Sequence, residues 1–219
     1  MFGRLTPTVK YILIINSGIF VLQSLLNLPL SYWLGLRVIF SDQFALHQFI
    51  TYMWIHANFS HLLGNMFAVF VFGPLLEQSF GQKKFLIFYL LCGIGAGVLF
   101  GAANFVEQYQ LKADTENYLA DPNPDAFSLY IAEHKTRQFN LQNLAKLSDE
   151  YYENSQDIYY RNQTKSAVSQ IFDFKTNIPM VGASGAIYGI LMAFAMLFPN
   201  LELIPVSYTH QTLPTNREE

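Results

Sequence analysis

Four runs of apolar residues alternate with polar stretches along the chain. They are Tyr11 to about Leu30 (YILIINSGIFVLQSLLNLPL), about His61 to Leu76 with its flanks (HLLGNMFAVFVFGPLL), Phe85 to Asn104 (FLIFYLLCGIGAGVLFGAAN), and Val181 to Pro199. A helix needs about 20 mostly apolar residues to cross a bilayer, where every backbone polar group must be paired within the segment. The pattern therefore predicts an all-α polytopic membrane protein. Transmembrane helices 1–3 fall within residues 1–104, with a loop at 31–55, and helix 4 falls within 179–205. Residues 105–178 break the pattern with seven Lys+Arg against eleven Asp+Glu. There Pro124 suits a helix start, and Leu141, Leu144 and Leu147 suggest one apolar face. This segment is expected to be a small, mostly helical extramembrane insertion, and nothing in it resembles a catalytic motif.

Composition agrees, since 13% of the 219 residues are charged and 52% are hydrophobic, whereas soluble domains carry about a quarter charged residues. A net charge of −3 gives no basic surface for nucleic acid. Cys92 is the only cysteine, which excludes an intrachain disulfide and a cysteine metal cluster. Arg4 and Lys10 precede the first run, which is too long for a signal peptide and lacks a small-x-small cleavage site. Lys83 and Lys84 separate the second run from the third. The positive-inside rule makes both groups cytoplasmic. The 31–45 loop, the 105–178 segment and the start of the fourth span then lie outside, with Ser184 near the outer face.

Gly93, Gly97 and Gly101, with Gly95, and Gly185 with Gly189, are spaced so that helix backbones can touch. Polar residues in the apolar runs call for a different account. His61 and Asn65 are four apart on one helical face, and polar side chains at membrane depth mark function unless they merely pair. An interhelical hydrogen bond from this pair stands beside the functional reading. His56 and His61 are five apart, off one face and without a neighbouring carboxylate, so no metal site is read there. Ser184 lies near a helix start, where free N–H groups and the positive helix end can stabilise an oxyanion. Gly182 and Gly185 around it would let a scissile backbone approach.

Gly182-Ala183-Ser184-Gly185 followed by Tyr188, with His56, His61 and Asn65 on an earlier span and Glu77 and Gly81 after it, resembles the rhomboid intramembrane serine proteases. The resemblance runs from about Val38 to Asn200, interrupted by 105–178. It implies a rhomboid-like helical bundle with four of the usual six transmembrane helices present, and Ser184 as nucleophile of a Ser–His dyad. His61 and Asn65 would donate to the oxyanion, Tyr188 would pack on the catalytic imidazole, and His56 would support. The 31–55 segment, with Trp33 and Trp54, is similar to the family's first loop. The implied partners are single-span membrane protein substrates in a lipid bilayer, the implied location is a bacterial inner membrane with a cytoplasmic N-terminus, and no cofactor is implied.

The chain departs from the family in its general base, which members carry on a span well after the serine. Here the only later histidine is His210, in a polar tail. That tail, 206–219 (VSYTHQTLPTNREE), has no membrane pattern and resembles the translation of a sequencing adapter. The expectation is thus a C-terminally truncated protease, inactive as written. A catalytically dead rhomboid-like protein that binds membrane clients is the alternative. A channel or transporter fragment with His61 and Asn65 as pore groups is a third reading.

Overall fold

The computed structural model of the chain describes residues 5–135 and 138–200. Arg4, the tail 206–219 and His210 lie outside the described residues. Helix α1 (Pro7–Leu25) opens on a proline, whose fixed φ suits the first turn. Its free N–H groups are capped from elsewhere: Thr8 and Val9 donate at 2.9 Å to the carboxylate of Glu77, which is 3% exposed and also accepts from the Thr6 hydroxyl. A carboxylate at a positive helix end is favourable. The first span, expected to reach Leu30, stops at Leu25 because Asn27 takes a φ of +48° and Pro29 follows. A short helix α2 (Leu30–Leu34) comes next. Within the loop lie α3 (Gln48–Thr51) and a 3-10 turn at Tyr52–Trp54.

Helix α4 (Phe59–Phe80) begins where the Asn58 side chain accepts from the His61 N–H at 2.9 Å, a capping arrangement that satisfies one orphan donor of the first turn. It ends at Gly81, whose φ of +80° is left-handed and suits glycine. Helix α5 (Gln82–Ala120) has 39 residues, about 58 Å of rise against a hydrocarbon core of about 30 Å. It therefore leaves the membrane without a break. The boundary expected after Asn104 falls in mid-helix, since the apolar run ends there but good helix formers continue, with Lys112 and Glu116 paired at 3.7 Å one turn apart. Three further helices follow: α6 (Pro124–His134), α7 (Leu141–Glu153) and α8 (Ile158–Thr176), capped by Asn123, Asn140 and Asp157. The last helix is α9 (Ser184–Leu197).

Helices α1, α4 and α5 are long and apolar enough to cross a membrane, and the chain is a multi-pass membrane protein of all-α class. The fourth element is shorter than expected. Its 14 residues span about 21 Å, because Gly182 takes a φ of +109° and holds the preceding residues out of the helix. Among the described residues there is no strand, only one antiparallel bridge between Leu36 and Met180.

Two cores organise the molecule. The membrane core gathers Val9, Ile12, Leu36, Tyr52, Met53, Val69, Phe85, Tyr89, Ala186 and Ile190 from α1, α4, α5, α9 and the loop. Helix α9 lies against both α4 and α5. A Cβ at Gly185 would strike Cβ of Ala96, and one at Gly189 the side chain of Cys92, so these glycines set the α5–α9 approach. On α5 itself, Gly93 faces Met53 and Gly97 faces Leu36 and Phe49, while Gly95 and Gly101 face open space. The glycine stripe read from sequence is thus a packing surface at two of its four positions. The second core, outside the membrane run, joins Leu111 and Tyr118 of α5 to Phe127, Tyr130, Leu144, Tyr151, Val168 and Ile171 of α6, α7 and α8.

A candidate active site at the start of helix α9

The chain enters α9 through a tightly held loop. Leu36 and Met180 exchange two backbone hydrogen bonds of 2.9 and 2.7 Å, and the Gly182 N–H donates to the Tyr52 carbonyl at 2.9 Å. Tyr52 is itself fixed, because its buried hydroxyl donates to the Gly93 carbonyl at 2.7 Å. These bonds place Gly182 where only glycine fits. A Cβ there would lie 2.5 Å from Cε1 and 2.6 Å from Nε2 of His61, and 3.3 Å from Nδ2 of Asn65. The positive φ adds a second reason for glycine.

His61 and Asn65 therefore meet the backbone two residues before Ser184, as their spacing of four on one helix predicts. They are joined by His56. The Asn65 amide donates to Nε2 of His56 at 3.0 Å, which leaves the ring proton on Nδ1, and the His56 and His61 rings meet edge to face at 5.2 Å. A neutral ring is what an amide donor requires. With one N–H spent on His56, Asn65 keeps a second.

Ser184 is the first residue of α9, and no side chain caps that helix. Its opening N–H groups lack intrahelical partners, and the positive helix end lies with them. Ser184 is partly buried, and its hydroxyl makes no hydrogen bond among the described residues. Chemically, the arrangement offers a hydroxyl and backbone donors at the helix start, with two N–H-bearing side chains against the Gly182 backbone two residues before it. That suits an attacked carbonyl whose oxygen gains negative charge.

Two sequence expectations meet different surroundings. Gly185 does not open room for a substrate, since Ala96 and the Tyr52 hydroxyl, the latter 3.2 Å from a Cβ placed there, close that side. Its role is helix packing. Tyr188 sits one turn beyond Ser184 and is 74% exposed, with no histidine ring against it among the described residues. Sequence reasoning also missed Tyr52 and Asn58. Asn58 was legible as an asparagine just before an apolar helix; nothing local marks Tyr52, whose role depends on α5 and α9 arriving beside it.

A family model described as a Rhomboid domain matches residues 43–110. That range contains His56, His61 and Asn65 and stops short of Ser184. The chain is 48% identical over 50 residues to RHOMBOID-like protein 6, mitochondrial, of Arabidopsis thaliana, covering 23% of this chain and 16% of that protein. It is 30% identical over 91 residues to Rhomboid-like protein 11, chloroplastic, of the same plant, covering 41% and 31%. Against Rhomboid protease AarA of Providencia stuartii it is 44% identical over 46 residues, covering 21% and 16%. The chain thus spans at most about a third of the length of these relatives. No solved structure matches.

Proposed function

The chain belongs to the rhomboid family, and from that premise we propose that it is the Ser184-bearing part of an intramembrane serine endopeptidase. Ser184 attacks a peptide carbonyl of a single-span membrane protein, and an acyl-enzyme forms as the amine leaves. The Ser184 N–H, Asn65 and His61 hold the oxyanion. One observation carries the reading: Gly182, left-handed and without room for a side chain, brings His61 and Asn65 to the turn that opens on Ser184. The name of the Providencia relative, a rhomboid protease, supports the reaction class.

Four lysine and arginine residues at 4, 10, 83 and 84 favour a cytoplasmic N-terminus, which puts the start of α9 on the outer side of a membrane, a bacterial inner membrane in this reading. A nucleophilic serine needs a base, and none is hydrogen-bonded to Ser184 among the described residues. Cleavage by Ser184 then depends on a base from outside the described residues. That same feature favours the second reading, a rhomboid-like protein that binds membrane clients without cutting them.

The test is expression of the reading frame continued past codon 205, with a single-span reporter and a serine-directed fluorophosphonate. Labelling at Ser184 and reporter cleavage, both lost in Ser184→Ala, are expected. Binding of the reporter without either signal supports the client-binding form, and cleavage that survives Ser184→Ala removes the protease assignment.

A further inference from the structure

Outside the membrane core, helices α5, α6 and α8 surround a cavity of about 430 Å³ lined by Glu107, Gln110, Asp114, Glu133, His134 and Lys175. Every one of these side chains is polar. Three carboxylates face one ammonium, so the cavity carries a formal charge of −2 with His134 neutral. Among the described residues no lysine or arginine lies within 4 Å of the Asp114 or Glu133 carboxylates. Among the described residues, Lys175 is the one cation in the lining of this cavity.

Within this cavity, ligand atoms of Asp114, Glu133 and His134 lie within 4.8 Å of one another. His134 is 8% exposed, and its Nε2 already meets Asp114 Oδ2 at 2.9 Å. Its ring is packed on Tyr130, 4.7 Å between centroids, so its direction is set by the bundle core. Glu133 is exposed. Around one zinc ion with bonds of about 2.0–2.2 Å, donor atoms stand about 3.4 Å apart. Sharing one ion requires Glu133 to turn inward and the 2.9 Å Asp114–His134 contact to widen slightly.

We propose that Asp114, Glu133 and His134 form a divalent transition-metal site that ties α5 to α6 in the extramembrane bundle. One imidazole nitrogen with two carboxylate oxygens suits Zn²⁺ or Mn²⁺ over the all-oxygen cage that Ca²⁺ prefers. The sequence gives no warning of it, because Asp114 and the Glu133–His134 pair stand on separate helices and match no short metal motif. The site is independent of Ser184 and serves whichever reading of the reaction holds.

The test is titration of the tag-free full chain in detergent micelles with Zn²⁺, followed by calorimetry and thermal unfolding. One ion per chain and a raised unfolding temperature are expected. Glu133→Gln, at an exposed position that cannot unfold the bundle, and Asp114→Asn each weaken Zn²⁺ binding by about 10–100-fold or more. Lys175→Met tightens it several-fold by removing the competing ammonium. Absence of saturable Zn²⁺ binding, or binding equally tight in Glu133→Gln and Asp114→Asn, overturns the site; a Zn²⁺ affinity unmoved by Lys175→Met places the ion outside this cavity and overturns it too.

Discussion

The membrane bundle and the polar bundle of residues 105–178 share one helix yet differ in how they are packed. Along the first half of α5, beside the fully buried rings of Phe85 and Tyr89, glycines set the close approaches: Gly93 receives Met53, Gly97 receives Leu36, and Ala96 and Cys92 receive Gly185 and Gly189 of α9. Large apolar residues such as Leu91, Val98 and Leu99 point outward, 53–70% exposed. Beyond Asn104 the chain has no glycine before Gly182, and tyrosines and phenylalanines fill the interior without such close approaches. Their hydroxyls are paired, Tyr118 with Thr164 at 2.6 Å, Tyr130 with Thr115 at 2.9 Å and Tyr151 with the Pro122 carbonyl at 3.0 Å. The difference follows from the solvent. Lipid gives no reward for hiding a leucine, so close approach of small residues decides membrane packing, whereas water rewards burying aromatic area.

The sharpest way to break this comparison is to empty the aqueous core. Phe127 is fully buried and tilts against Tyr118, 5.8 Å between centroids. Phe127→Ala is expected to cost about 3–5 kcal/mol. Hydrogen exchange should accelerate through α6, α7 and α8 while the amides of α1 and α4 stay protected. Equal loss of protection in both regions would show that the two cores are one cooperative unit.

The opposite operation, adding volume, is the test for the membrane half. Gly185→Val drives a side chain into Ala96 and separates α9 from α5, an overpacking cost of about 1–3 kcal/mol, read as a lower unfolding temperature in micelles. Gly101→Ala is the control: a Cβ there meets nothing within 4 Å, and alanine's better helix propensity adds up to about 1 kcal/mol. If both substitutions behave alike, glycine contact is not what holds these helices. A smaller effect belongs to the aqueous half alone. Asn123 caps α6 by accepting from Ala126 at 2.9 Å, so Asn123→Ala should cost about 1 kcal/mol, with fraying confined to Pro124–Phe127 in exchange measurements.

The two regions also differed in how much could be read beforehand. Three spans were legible because length and hydropathy are enough to mark a membrane helix. The ends were not: Asn27 with its positive φ ended α1 early, and α5 ran on past Asn104 because helical propensity outlasted hydropathy. In the site, the spacing of His61 and Asn65 gave a shared face, whereas the room at Gly182, read from sequence as space for a substrate backbone, turned out to be taken by the His61 ring. Two other roles were beyond the sequence because they depend on a neighbour that arrives from elsewhere in the fold. Gly185 turned out to face Ala96, and the Tyr52 carbonyl, far along the chain, turned out to hold the Gly182 N–H.

The smallest predicted effect bears on how the two regions meet. The insertion returns to the membrane through Asn177, whose side-chain oxygen accepts from the Ser41 hydroxyl at 2.6 Å. Three residues later Met180 bridges to Leu36, and two after that Gly182 is pinned to Tyr52. Of these ties Ser41→Ala removes only the first, together with the local Gln43 N–H bond to the same hydroxyl, and leaves a half-exposed acceptor that water can serve, so the stability cost is about 0.5–1 kcal/mol. If movement of the aqueous bundle reaches the serine, it passes along this strand of chain. Amide exchange at Met180 and Gly182 should then rise in Ser41→Ala while Phe85 to Gly97 of α5 is unchanged. Unaltered exchange at both amides would mean that the Leu36 and Tyr52 bonds alone isolate the start of α9, and that the insertion is joined to the site by sequence but not by force.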